Sequence, residues 1–178
     1  MPISVIPFNM PEPAEIPSHI IESLRSMAAD EAVFKSMELL MQVEAANVIV
    51  YERLTGSGTE LKSVVGDRSE DLQLILESAD VTLTDLATQH NSPLLIMGQV
   101  SLDDSDPFPE GVAGFLLNGE EENGSVGFNY ILPFQSQEGR ILGTLTLFRS
   151  ANDGPLNHEQ PNICEAIRVE LTDILKEN

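Results

Sequence analysis

Few residues of this chain have the type and spacing that bond-making chemistry needs. The single Cys, Cys164, has no second Cys to resolve a sulfenic acid, and it falls within an amphipathic helical pattern where a small apolar residue suffices. His19, His90 and His158 stand apart, and no His pair at i, i+3 or i, i+4 offers two ligands to a metal. Asp103, Asp104, Asp106 and Glu110 are hard oxygen donors of the kind Ca²⁺ prefers, but they lack the Gly and the terminal Glu of an EF-hand loop. There is no G-x-S-x-G, no Gly-rich phosphate loop and no Cys pair at zinc spacing. These patterns argue against an enzyme and predict neither a metal nor a cofactor.

What remains is a set of side chains suited to enclosing a small molecule. Met97, Phe115, Phe128, Tyr130, Thr144 and Thr146 combine apolar surface with a few hydrogen-bonding groups, which is the make-up of a small-ligand site. By period 2, Phe128 and Tyr130 share one face of their strand, and Thr144 and Thr146 share one face of the next. The six either line one cavity or simply fill the core.

Charge limits what such a cavity could hold. The chain has 178 residues, 9 basic and 29 acidic, for a net charge of −20. Residues 69 to 139 contain no Lys or Arg while carrying 13 of the acids. A pocket built from that stretch would lack the basic fork that phosphates and carboxylates usually require, so a neutral or cationic ligand is expected. Only Arg53, Arg68, Arg140 or Arg149, folding inward from the flanks, could reverse that sign. The same charge repels nucleic acid and anionic membrane, and it suits a basic protein partner. No apolar run approaches the roughly 20 residues needed to span a bilayer. The Pro-rich start, without a basic segment, does not resemble a signal peptide, and one Cys fits a reducing compartment, so a cytoplasmic location is expected.

The elements that must position these residues follow from periodicity. Residues 1 to 17 are read as an extended arm, and residues 18 to 178 as one domain. Ser18 and Asp30 are candidate caps for two helices covering about residues 18 to 45. Val48 to Tyr51 and Leu61 to Val65 form a hairpin around Gly56-Ser57-Gly58. Short helical stretches follow Ser69 and Thr84, and Leu94 to Met97 is a short buried strand. Residues 101 to 125 are irregular around the apolar patch Val112 to Leu117. Phe128 to Phe134 and Ile141 to Phe148 form a second hairpin, and a last helix runs from about Glu159 to Lys176 with Glu165, Arg168 and Asp173 on its polar side. Without regular strand-helix alternation, the order argues for an α+β layer in which helices cover an antiparallel sheet.

On these elements the chain resembles the GAF domains. Leu132-Pro133-Phe134 followed by Glu138-Gly139-Arg140-Ile141-Leu142-Gly143-Thr144-Leu145 is similar to the family's last hairpin, where a "VPL" strand leads through a Gly turn to a "GxLxL" strand. Ser150 to Glu159 resembles its loop into the final helix, and Thr88 to Ile96 its "TGxPVxI" helix-to-strand step. The resemblance covers about residues 18 to 176. It implies a GAF- or PAS-like antiparallel sheet of five or six strands, with N- and C-terminal helices on one face forming a homodimer and a small-molecule pocket on the other. It also implies a regulatory sensor, or alternatively a ligand-free dimerisation or adaptor domain. Cyclic-nucleotide-binding members carry Asn-Lys, Phe and Asp-Glu around the last loop, where this chain has Asn152-Asp153, Leu156 and His158-Glu159. Bilin-binding members need a Cys in the central loops, and the family's methionine sulfoxide reductases need more than one Cys; this chain meets neither requirement.

Overall fold

A computed structural model describes residues 2–100, 106–117 and 124–177. The chain forms β1 (Ser4–Pro7), α1 (Ser18–Arg25), α2 (Ala29–Gln42), β2 (Val48–Thr55), β3 (Gly58–Gly66), α3 (Ser69–Ser78), α4 (Leu83–His90), β4 (Leu94–Gln99), α5 (Val112–Leu117), β5 (Ser125–Gln135), β6 (Ile141–Arg149) and α6 (Gln160–Lys176). The strands make one sheet in the order β1-β4-β5-β6-β2-β3, and each paired set is antiparallel. The α+β architecture and both expected hairpins are present.

Strand alternation sends each strand's side chains into two separate cores. Ile49 and Tyr51 of β2, Tyr130, Leu132 and Phe134 of β5, and Leu145 and Leu147 of β6 meet Val33, Met37 and Leu40 of α2 and Ile167 and Leu171 of α6. Val48, Val50, Leu94, Ile96, Ile131 and Phe148 face the other way, onto Leu72 of α3, Leu83 and Leu86 of α4 and Phe115 of α5. The terminal helices thus cover one face and the three central helices the other.

Four expectations change. The extended arm is part of the sheet rather than apart from it, because Ser4 to Pro7 pairs with Met97 to Leu94 as an edge strand, a position where Pro7 costs no ladder bond to a further neighbour. Ser18 and Asp30 cap nothing: α1 and α2 begin without a side-chain cap, and Asp30 instead accepts bonds from Tyr51 Oη at 2.6 Å and Arg53 Nη1 at 3.0 Å. The patch Val112 to Leu117 is the short helix α5. Glu165 is buried, receiving Arg168 Nη2 at 2.7 Å and Nε at 2.8 Å while Arg168 Nη1 donates to the Pro133 carbonyl, so this ion pair fastens α6 to β5. Asp103 and Asp104 lie outside the described residues.

Candidate functional site

The sheet divides the six expected pocket residues. Directly paired residues of neighbouring strands point to the same side, and the register sets Ile131 opposite Thr146 and Tyr130 opposite Leu147. Thr144 and Thr146 therefore face α4 with Ile131, whereas Phe128 and Tyr130 face the terminal helices. Met97, paired with Phe128, shares the strand face of Leu95 on that same side. Phe115 sits on α5, opposite. The six line no common cavity.

Tyr130 has a structural use where it lies. Its hydroxyl accepts from Leu156 N–H at 3.0 Å, and its ring meets Phe8 edge-on at 5.0 Å between centroids, so it ties the arm and the last loop to the sheet. Cys164 is buried beside it in the same core, and desolvation pushes its thiol up to about 12, which leaves no reactive thiolate.

On the face toward α3, α4 and α5, a polar row crosses the apolar floor. Glu52, only 2% exposed, accepts at Oε1 from both the backbone N–H and the hydroxyl of Thr84, each at 2.8 Å. Thr84 has one hydroxyl proton, so with Glu52 ionised it must accept from Thr144 Oγ1, 2.9 Å away. Burial raises the Glu52 carboxyl above its usual range, against the hydrogen bonds from Thr84 that lower it. That Thr84 N–H belongs to the first turn of α4, which Thr82 and Asp85 close with a capping box. Farther along the face, Thr146 Oγ1 and Asn129 Oδ1 are buried with no hydrogen-bond partner among the described residues. Glu52 follows Val48 and Val50 at period 2, so its inward direction was open to view in the sequence.

The row runs toward a cleft of about 410 Å³ at the end of the sheet where β2 begins and β6 ends. Val48, Val126, Phe115 and Phe148 give it apolar walls, and Asn47, Asp67, Arg68, Ser125, Ser150 and Asn152 give it polar ones. Arg68 donates from Nη2 to the Phe115 carbonyl at 2.8 Å, with its guanidinium carbon 4.0 Å from the centroid of the Phe115 ring. It adopts φ +52°, which turns the chain from β3 into α3. Arg149 reaches the cleft as strand backbone only, because its side chain crosses to the other face and binds the carbonyls of Glu44, Asp153 and Gly154. Asn47 orders the loop on the rim, accepting from Ser150 N at 2.7 Å and donating to Asp153 Oδ2 at 2.9 Å. Gly127, at φ +79°, lies against the Arg149 carbonyl, and any Cβ there would collide with it. Of the expected site residues, only Phe115 lines this cleft. Arg68 was one of the four arginines that could fold inward, and it is the one whose guanidinium does so here.

The geometry has counterparts among solved structures. The GAF domain/HD domain protein from Geobacter sulfurreducens superposes with a TM-score of 0.61 at 13% identity, covering 85% of this chain and 94% of that one. The GAF domain of an Acinetobacter phosphoenolpyruvate-protein phosphotransferase gives a TM-score of 0.58 at 12% identity, covering 89% of each chain. No family model matches the sequence, and no curated protein matches it. The sheet order, the helix layers and these superpositions agree that this chain has a GAF-like fold.

Proposed function

We propose that the protein is a non-catalytic sensory or regulatory domain that takes a small molecule in the cleft under Arg68 and Phe115 and pairs with a second copy through its terminal helices. The observation that carries the ligand reading is the cleft itself. Its volume of about 410 Å³ and its mix of apolar and polar walls match what small-ligand sites require. Among the described residues the walls include no His or Cys to serve as base or nucleophile, which supports binding rather than turnover. Among the described residues, Arg68 and Asp67 are the charged side chains that face it, so their charges offset. A neutral occupant is favoured, its acceptor meeting Arg68, while a cationic group would meet Asp67. The guanidinium removes the charge argument that the base-free stretch made against anions.

Exposed apolar side chains support the pairing: Phe34 on α2 is 43% exposed and Val169 on α6 is 42% exposed. Ile167 is not part of that surface, being 3% exposed within the core, so a charge placed there would unfold the chain rather than separate two copies. Val169→Asp is the suitable variant, and light scattering should show a dimer for the parent chain and a monomer for the variant. A monomeric parent chain at tens of micromolar would refute the pairing.

Native mass spectrometry of freshly purified protein tests the ligand reading. A small-molecule adduct is expected on the parent chain and its loss on Asn152→Trp, whose indole would fill the mouth of the cleft from an exposed loop position. A neutral or cationic adduct equal on both chains, or bare chain in both, would overturn it. Bare chain in both would favour the alternative, a ligand-free dimerisation or adaptor domain whose acidic surface docks a basic protein.

A further inference from the structure

A second cleft lies at the opposite end of β2, β5 and β6, on the side of the terminal helices. It has a volume of about 320 Å³ and is bounded by the β5–β6 turn, the outer end of β2 and the last turn of α6. Arg53, Arg140 and Lys176 line it, which are three of the nine basic residues of a chain with 29 acidic ones. Among the described residues Glu138 is the one acidic residue in its lining, so the lining side chains carry a formal charge of +2 before the carboxylates behind them are counted. Just behind it Arg53 meets Asp30 at 3.0 Å, Lys62 meets Asp30 at 3.7 Å, and Lys176 meets Asp173 at 3.7 Å. Lys176 thus has the local duty of opposing the helix dipole at the end of α6. Arg140 has no such duty, since its guanidinium has no carboxylate within ion-pair reach among the described residues.

The turn holds Arg140 in place. Its backbone N–H donates to Ser136 Oγ at 3.2 Å, its carbonyl accepts from Ser136 N–H at 2.8 Å, and Gly139 takes the left-handed φ of +83° that closes the turn. Gln135 Nε2 bonds both the Gly139 carbonyl and Asn91 Oδ1, which anchors the turn to the end of α4. A guanidinium on a fixed backbone, beside two further cations and over Leu54, Leu142 and Leu175, is arranged for an anion that has an apolar body. We propose that this cleft binds a phosphate monoester, with Arg140 contacting the phosphate and Arg53 and Lys176 completing its charge balance. The dianion that such an ester carries above its second pKa, near 6, can engage the unpaired Arg140 together with Arg53 and Lys176, which Asp30 and Asp173 offset only from behind, whereas a monocarboxylate brings one charge fewer to the same cations.

The test is a ¹H–¹⁵N chemical-shift titration of the full chain with phenyl phosphate at pH 8 and constant ionic strength, with benzoate and inorganic phosphate as separate arms. Saturable shifts are expected at Ser136, Gly139, Arg140, Leu54 and Leu175, with phenyl phosphate bound tighter than either inorganic phosphate or benzoate. Arg140→Gln, an exposed side chain whose guanidinium has no bond to lose among the described residues, should weaken phenyl phosphate binding about tenfold or more, while Lys35→Gln, an exposed basic side chain of α2 outside the lining, should leave it unchanged. Four results would overturn the proposal: no saturation by about 20 mM, above the millimolar range of weak specific binding; equal binding by Arg140→Gln; benzoate bound as tightly as phenyl phosphate; or shifts centred on Arg68 and Phe115. The last would move the anion to the first cleft.

Discussion

The two faces of the sheet are built on different terms. Under α2 and α6, the polar groups that reach the core are bonded: Ser36 Oγ donates to the Ala32 carbonyl at 2.9 Å, Tyr51 Oη donates to Asp30, and Tyr130 Oη accepts from Leu156. Under α3, α4 and α5, Glu52, Thr84, Thr144, Thr146 and Asn129 are set among the aliphatic residues, and two of their oxygens are unpartnered among the described residues. An unpaired buried oxygen costs about 1–3 kcal/mol, so the second face gives up stability that the first retains. Stability surrendered next to a cleft is a common mark of a face shaped for something besides folding.

Core truncations should break the symmetry of the faces first. Leu171→Ala, in the fully buried first core, is expected to cost about 3–4 kcal/mol, and Leu86→Ala, slightly exposed in the second, about 2 kcal/mol. Urea melts that rank the two equally would erase the contrast. Gly127→Ala should cost about 2 kcal/mol or more, since it combines a left-handed backbone with a collision at the Arg149 carbonyl. A variant as stable as the parent would mean that the cleft wall gives way easily.

Thr146→Val removes an unpartnered hydroxyl at nearly constant volume, and it should raise stability by about 1 kcal/mol. A loss of stability would show that the hydroxyl has a partner in solution.

Glu52 gives the smallest and most selective signal. Its folded pKa lies above the unfolded value, so the folded state holds this proton more tightly and its contribution to stability falls as pH rises from about 4.5 through the folded pKa. Asp30 and Asp153 are held low by their hydrogen bonds and act in the opposite sense, their stabilisation being lost as pH falls. Glu52→Gln should therefore gain on the parent chain between pH 4.5 and neutrality. A difference that does not change with pH would place the ionised carboxylate in an environment as favourable as water.

Much of this fold was legible in the chain. The hairpins around Gly56-Ser57-Gly58 and around Gly139 announced four strands, and the spacing of Ile163, Ile167, Leu171 and Ile174 announced α6. The edge strand β1 was hidden because a Pro-rich segment has little strand propensity, and it pairs only through tertiary contact with β4. The site was harder to see for a different reason. Alternation tells which residues of one strand share a face, but only the register between strands tells which face they share with the next, so Tyr130 and Thr146 were grouped although they oppose each other. Glu52 could have been found by extending the alternation of Val48 and Val50 by one step. Arg68 could be named as a candidate, but its seat on Phe115 depends on α5, which 47 residues of sequence separate from it.

Ligand-observed saturation-transfer NMR tests the role of the second face most directly, using one set of neutral, cationic and anionic small molecules against the parent chain and against Asn152→Trp. A ligand site between Arg68 and Phe115 predicts neutral or cationic compounds that bind the parent chain and lose their signal on the variant, whose melting temperature should be unchanged. Neutral or cationic compounds that bind both chains alike, or a set in which no neutral or cationic compound binds the parent chain, would contradict it.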